Sequence, residues 1–413
     1  MKHTIFVTLL IASLVYSTPN ITLASTATPT ETKLLSADPF VDEEYGRAVA
    51  IDGNTVVIGA AANPVSSDRI GSADVYVRTN SGWQFQQKLT APDATSQSVF
   101  GVSVAIDGDT IVVGAHGDTN AGFASGAAYV FQRTNNQWSL TQKLISSESS
   151  TWDSFGLSVG VDGNTIVCGA FGNSPSNTLP VGSAFVFRLI NNHWVETQKL
   201  AASDASENNS FGVTVAIDGN TLIVGAIGNS QFAGAVYVFE FDGSSWIEQE
   251  KLMSHDRTPR VIFGYRLGID GDTIVVASEG RGDPPIEFSA AYIFRRTPSG
   301  WHQQKKITTD DVFVNGRLEN MGRFGLTVAV SGDTVVVGSP NDPTINYFSG
   351  SAYIYRRTSE SNWTLDQHIF PSDAARDDSF ASAVAISGDT AVMGAWVKFS
   401  PLPFAGAVYI YDF

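Results

Sequence analysis

The sequence predicts an all-β chain closed on itself as a seven-bladed β-propeller of four-stranded antiparallel blades. Three observations predict it: a unit of near-constant length recurs seven times, each unit alternates β-rich runs with tight-turn residues, and the last unit is one strand short. Each unit opens with an aromatic residue followed by Gly or Ala: Tyr45-Gly46, Phe100-Gly101, Phe155-Gly156, Phe211-Gly212, Phe263-Gly264, Phe324-Gly325 and Phe380-Ala381. The interval between successive aromatics is nearly constant, shortest from Phe211 to Phe263 and longest from Phe263 to Phe324. A Gly-Ala-like pair follows each aromatic at one fixed distance: Gly59-Ala60, Gly114-Ala115, Gly169-Ala170, Gly225-Ala226, Ala277-Ser278, Gly338-Ser339 and Gly394-Ala395. A period of this size, filled with short strands and turns, marks a propeller or β-array.

The second unit shows the strands. Val102 to Ile106 alternates and reads as a first strand, and Asp107-Gly108-Asp109 reads as a tight hairpin because Gly accepts positive φ. Thr110 to Val113 is a β-branched run, as expected of a strand covered on both faces. A loop of variable length leads to a third strand, Ala127 to Phe131, and the turn Thr134-Asn135-Asn136 leads to a fourth, Trp138 to Leu144. Six units carry a Trp on the fourth strand: Trp83, Trp138, Trp194, Trp246, Trp301 and Trp363. Recurrence at one blade position predicts packing between blades rather than a sugar platform.

The seventh unit ends at Phe413 after its third strand. Thr32-Lys33-Leu34 matches Gln87-Lys88-Leu89, Gln142-Lys143-Leu144 and Gln198-Lys199-Leu200, and Lys33 precedes Tyr45 by the same interval that separates Lys88 from Phe100. The N-terminal strand is therefore predicted to complete the last blade, removing open sheet edges.

The remaining chain-wide features bound the function. Residues 1–24 read as a secretory signal: Lys2 and His3, an apolar run from Ile5 to Val15 too short to span a bilayer, then Thr22-Leu23-Ala24. Residues 25–413 are then one propeller domain, expected to be monomeric and secreted, periplasmic or held at the cell surface, with no membrane span. A net charge of −16 without a basic stripe argues against nucleic acid as a partner. The single cysteine, Cys168, forms no internal disulfide and aligns with Ile58, Val113, Val224 and Met393, which predicts a core side chain.

The Phe-Gly, Val-Ala-Ile/Val and Gly-Ala elements resemble FG-GAP repeats, the units of the seven-bladed propeller of integrin α-subunits and of many secreted microbial proteins. The resemblance covers about residues 30–413. Calcium-binding members of that family carry an Asp-x-Asp-x-Asp-Gly loop between the first and second strands. Here each unit has a minimal turn there, such as Asp52-Gly53-Asn54 or Ser387-Gly388-Asp389. Calcium takes six to eight oxygens, and this turn offers at most two carboxylates, so no metal and no cofactor is expected. The acids that recur in the inter-blade links, Asp38, Asp93, Asp204, Asp256 and Asp373, are expected to cap turns locally.

Positions that recur in every unit are explained by blade geometry, so function is sought where units differ. The stretch from the Gly-Ala pair to the third-strand aromatic varies, shortest from Gly225 to Tyr237 and longest from Gly59 to Tyr76. The link from Lys306 to Phe324 is half as long again as its counterparts, such as Lys88 to Phe100. Both loop types emerge on one face, and loops on a rigid scaffold commonly carry binding residues. They hold aromatics that no repeat demands: Phe40, Phe123, Trp152, Phe171, Tyr347, Phe348, Trp396 and Phe404. Arg281-Gly282-Asp283 in the fifth unit resembles an integrin-read adhesive tripeptide, which adds Arg281 and Asp283 as candidates. Asn208-Asn209-Ser210 and Asn362-Trp363-Thr364 match glycosylation sequons.

No catalytic pattern emerges: the six histidines are scattered and there is no nucleophile elbow or phosphate loop. The expected function is an exported, non-enzymatic binding or adhesion scaffold that contacts a protein or cell-surface ligand through loops on one face. A lectin-like propeller that binds a glycan is the alternative. A secreted glycan hydrolase, with two carboxylates at the channel mouth, is the third reading.

Overall fold

The computed structural model describes residues 28–62, 70–174, 180–228, 234–255, 261–280, 289–308, 323–399 and 401–413. The expected leader, residues 1–24, lies outside them. The described residues form seven four-stranded antiparallel sheets. Blade 1 comprises Tyr45–Asp52, Thr55–Ala60, Ser72–Thr79 and Gly82–Leu89, and blades 2 to 6 repeat this order. Blade 7 comprises Ala383–Ser387, Thr390–Ala395 and Ala407–Asp412, completed by Thr30–Leu34. That closing strand pairs antiparallel with the last one, Thr30 opposite Asp412 and Leu34 opposite Val408. First strands touch the first strands of neighbouring blades all the way round, so they line the axis and the fourth strands form the rim.

Burial explains the pattern of each strand. Second strands such as Thr110–Ala115 are buried at every residue, because they lie between two neighbouring blades. One apolar cluster joins Val57 and Val75 of blade 1 to Phe100, Ile111 and Val113 of blade 2, so the core is a circle of inter-blade layers. Within it the unit-opening ring meets the third-strand ring edge-on, as in Phe100–Tyr129 and Phe380–Tyr409, both 5.4 Å between centroids. The six fourth-strand tryptophans are buried. So is Cys168, whose burial also pushes its thiol pKa up.

Three kinds of contact hold blade to blade. First, the hairpin turns are chained: Asp52, Asp107, Asp162, Asp218 and Asp270 each accept a bond from the Gly N–H of the next turn, at 2.8, 2.7, 2.8, 2.6 and 2.5 Å. Ser331 and Ser387 accept from Gly388 and Gly53 at 3.1 Å, which closes the circle. The recurrent Asp or Ser thus has a structural task, tying each turn to the next. Second, the motif pairs meet across the blade interfaces, glycine against glycine in five of the seven. A Cβ on Gly114 would sit 1.9 Å from the Gly156 carbonyl oxygen, which explains the preference for glycine there; Ala277 and Ala381 stand at the equivalent positions of the other two. Third, on the rim the Gln142 amide accepts from the Trp194 N–H at 2.9 Å and donates to its carbonyl at 2.7 Å. Gln87 and Gln198 clamp Trp138 and Trp246 in the same way.

Two expectations are corrected. The link acids are not turn caps where the structure describes their partners. Asp93 accepts from Lys143 at 2.7 Å and Tyr129 at 3.0 Å, Asp204 from Lys251 at 2.5 Å and Tyr237 at 2.6 Å, and Asp373 from Lys33 at 2.7 Å and Tyr409 at 2.6 Å. Each ties a link to the third and fourth strands of the blade it enters. The second correction concerns register. Ile58 pairs with Asp74, as Val113 pairs with Tyr129 and Val224 with Tyr237. The blade 1 counterpart of Tyr237 is therefore Asp74, not Tyr76, and Asp74 follows Gly59 by the same interval that separates Gly114 from Tyr129.

Candidate functional site

The loops between second and third strands and the links between blades share one end of the ring, opposite the chained turns. Three junctions there are built alike. At blades 2 and 3, Trp152, Ser154 and Phe155 donate their N–H groups to Phe123, Ala124 and Ser125 at 2.8, 3.0 and 3.1 Å. At blades 6 and 7, Asp377, Ser379 and Phe380 donate to Tyr347, Phe348 and Ser349 at 2.9, 3.1 and 3.0 Å. At blades 7 and 1, Asp42, Glu44 and Tyr45 donate to Pro403, Phe404 and Ala405 at 3.1, 3.0 and 3.1 Å. Each loop is thus zipped to the link entering the next blade. The zipper holds Ala124, Phe348 and Phe404 in the left-handed region, with φ of 50, 53 and 52°. A backbone so constrained presents its side chains from a fixed position.

This geometry gathers some predicted residues and separates others. Phe123 and Trp152 come from different segments and pair at 4.5 Å between centroids, both exposed. Tyr347 and Phe348 pair at 4.0 Å, and the Arg376 guanidinium lies 5.1 Å from the Tyr347 ring centre. Phe404 is exposed at the blade 7–1 junction. Phe171 and Trp396 sit apart from these, half-buried directly after the Gly-Ala pair. Arg47 covers Trp396 at 5.1 Å and is itself held by Glu44 at 2.7 Å. Phe40 is half-buried. Arg281 and Asp283 lie outside the described residues.

Sequence reasoning missed several neighbours. Val41, Phe399 and Leu402 are exposed beside Phe404 at the blade 7–1 junction, and Ile345 is exposed beside Tyr347. Their signal was the shared loop position, which emerges only once the loops are superposed. Among the described residues no group of three or more His, Cys, Asp or Glu converges on a point where a metal would sit. A separate cleft on the rim between blades 4 and 5 is lined by Glu250, His255, Trp301 and Gln303. There Glu250 replaces the clamping Gln and only accepts, from the Trp301 N–H at 2.9 Å.

The sequence profile of the FG-GAP repeat matches six segments: 29–77, 83–131, 138–187, 194–239, 301–355 and 363–411. The chain belongs to the FG-GAP repeat family. Each matched segment but one runs from a fourth-strand position into the third strand of the following blade; the 29–77 segment begins beside the closing strand. The first three strands of blade 5 of this FG-GAP propeller fall between matches, yet the blade is a complete four-stranded sheet. Ala277-Ser278 stands there in place of Gly-Ala. The fold is similar to that in a crystal structure of a protein from Lactobacillus plantarum, with a TM-score of 0.51 and 14% identity over 78% of this chain and 84% of that one. No curated protein matches the FG-GAP chain. No helix among its described residues is long and apolar enough to cross a membrane.

Proposed function

We propose that this FG-GAP propeller is an exported, monomeric, non-enzymatic scaffold that binds a protein at a cell or matrix surface through its loop end. The observation that carries this reading is the concentration of exposed rings at the zipped junctions: Phe123 with Trp152, Tyr347 against the half-buried Phe348, and, at the third, both Phe399 and Phe404. Exposed aromatics on a rigid frame lose little conformational freedom on binding, which makes them effective anchors. The protein reading is favoured over the glycan one by ring orientation. A sugar stacks on an open, flat ring face. The Phe123–Trp152 pair is tilted by 59°, and Tyr347 already has Phe348 and Arg376 against it. Such pairs offer apolar bulk and edges, which suit side chains of a protein partner.

The test is an array of glycans and extracellular-matrix proteins probed with residues 25–413. Binding to a protein, weakened at least tenfold by Phe123→Ala with Trp152→Ala while the thermal midpoint stays unchanged, is the expected result. Binding confined to glycans would replace this reading with the lectin one. Capture unaffected by the loop variants would move the site to another surface.

A further inference from the structure

Blade 1 departs from the other six at one buried position. In register, blades 2 to 7 place Tyr129, Phe185, Tyr237, Tyr292, Tyr353 and Tyr409 where blade 1 has Asp74. Those six rings lie 5.2–5.9 Å from the unit-opening Phe of their blade. Five of them also face a fourth-strand lysine at 5.0–5.8 Å, and Tyr353 stacks on His368. In blade 1 the space of a ring is given to a carboxylate. Asp74 is 1% exposed, and neither of its oxygens has a hydrogen-bond partner among the described residues.

The surroundings relieve that carboxylate only in part and bring a second one near it. Glu43 is fully buried; its Oε1 accepts from Ser36 at 2.6 Å, and its Oε2 has no partner among the described residues. The Asp74 charge is felt at Glu43, and both carboxylates are felt at the hydroxyls of Tyr45 and Tyr76, which contact each other at 3.3 Å. The cation facing them is Lys88, whose Nζ stands 3.9 Å from Asp74 Oδ1, beyond hydrogen-bond reach. Two buried carboxylates against one lysine leave a net negative charge and three unserved oxygens. An arrangement of that kind is costly unless a counter-ion or proton completes it. The corresponding pockets of other blades are served: Asp342 of blade 6 accepts from Ser351 and Tyr353, and Asp378 of blade 7 from Lys398.

We infer that blade 1 holds a buried site for a hard, oxygen-seeking cation, with Asp74 and Glu43 as its charged ligands and the Tyr45 and Tyr76 hydroxyls beside it. Oxygen-only donors of mixed charge match the preferences of calcium. The site lies at the loop end of blade 1, across the blade from the Asp52-Gly53-Asn54 turn where calcium-binding relatives carry their loop. Glu43 belongs to the link zipped to the Phe404 loop, so the site lies beneath the blade 7–1 junction, but the inference does not rest on the partner-binding reading.

The test uses residues 25–413, freed of metal with a chelator, returned to calcium at pH 7.5 and gel-filtered. About one calcium per chain is expected to remain with the protein, and calcium is expected to raise the thermal midpoint by about 2 °C or more. Asp74→Tyr, which restores the ring of the other six blades, should abolish retention and raise the midpoint measured in chelator. Glu43→Gln should weaken retention at least tenfold, and it stands as the second variant if the tyrosine is not accommodated. No calcium retained by the wild type, with equal midpoints in calcium and chelator, would overturn the inference. Retention unchanged in both variants would do so as well.

Discussion

A carboxylate that loses more water than its donors replace keeps its proton to a higher pH, and in blade 1 this happens twice. Burial pushes Glu43 up to about 7, and burial opposed by Lys88 pushes Asp74 up to about 6. Their ordinary values are 4.5 and 3.8. A folded-state pKa raised in this way means the contribution to stability is complete below the ordinary value and is lost as pH rises through the folded one. In calcium-free buffer the thermal midpoint should therefore fall as pH rises from about 4 to about 7, from the lower ordinary value to the higher folded one, and Asp74→Asn should flatten part of that fall. Lys88, Tyr45, Tyr76 and Ser36 face these groups. The link acids have the opposite sign. The Lys251 ammonium and the Tyr237 hydroxyl hold Asp204 below the usual carboxylate range, so its contribution is lost on acidification. A midpoint that rises steadily from about pH 4 to about 7 in chelator would contradict this account of blade 1.

At the scale of strands and turns, the motif glycines and the rim glutamines make different demands. Gly114 has no room for a methyl group, because the facing atom is a backbone carbonyl. Gly114→Ala is expected to cost about 3 kcal/mol. Gln142→Ala removes two bonds to a solvent-bordered strand and should cost about 1–2 kcal/mol. Urea unfolding of the two variants side by side checks the ranking, and equal losses would refute the close-approach explanation. This scale was also the most legible in the sequence. Alternation in Val102–Ile106, the Asp-Gly turns and the match of Thr32-Lys33-Leu34 to other fourth strands led directly to the observed sheets. What stayed hidden depended on partners far along the chain. Asp93 lies 50 residues from Lys143 and Asp52 lies 56 from Gly108. Asp74 concealed its slot by not being aromatic, so Tyr76 was aligned in its place. The pairing of Phe123 with Trp152 needed the zipper, which no local pattern announces.

For the whole molecule the decisive seam is between blades 7 and 1. The turn chain continues across it through Ser387 and Gly53. On the rim, the closing strand is held by its pairing with Ala407–Asp412 and by Glu31, which accepts from Ser372 and from Tyr411. Deleting Thr30–Leu34 should expose the edge of the last strand. The expected outcome is a lower thermal midpoint and concentration-dependent association, read by size-exclusion chromatography with light scattering. A truncated chain that stays monomeric with the wild-type midpoint would show that the turn chain alone closes the ring.

The pairing of Thr30 with Asp412 also sets a schedule. A ribosome adding about 5–20 residues per second needs on the order of 20–80 s after making the first of these residues to make the second. Throughout that interval the first strand has no lateral partner of its own, while blades 1 to 6 gain all of theirs one after another. The ring therefore shuts only after Asp412 has been made, and whatever receives the nascent chain must hold an open circle until that strand arrives.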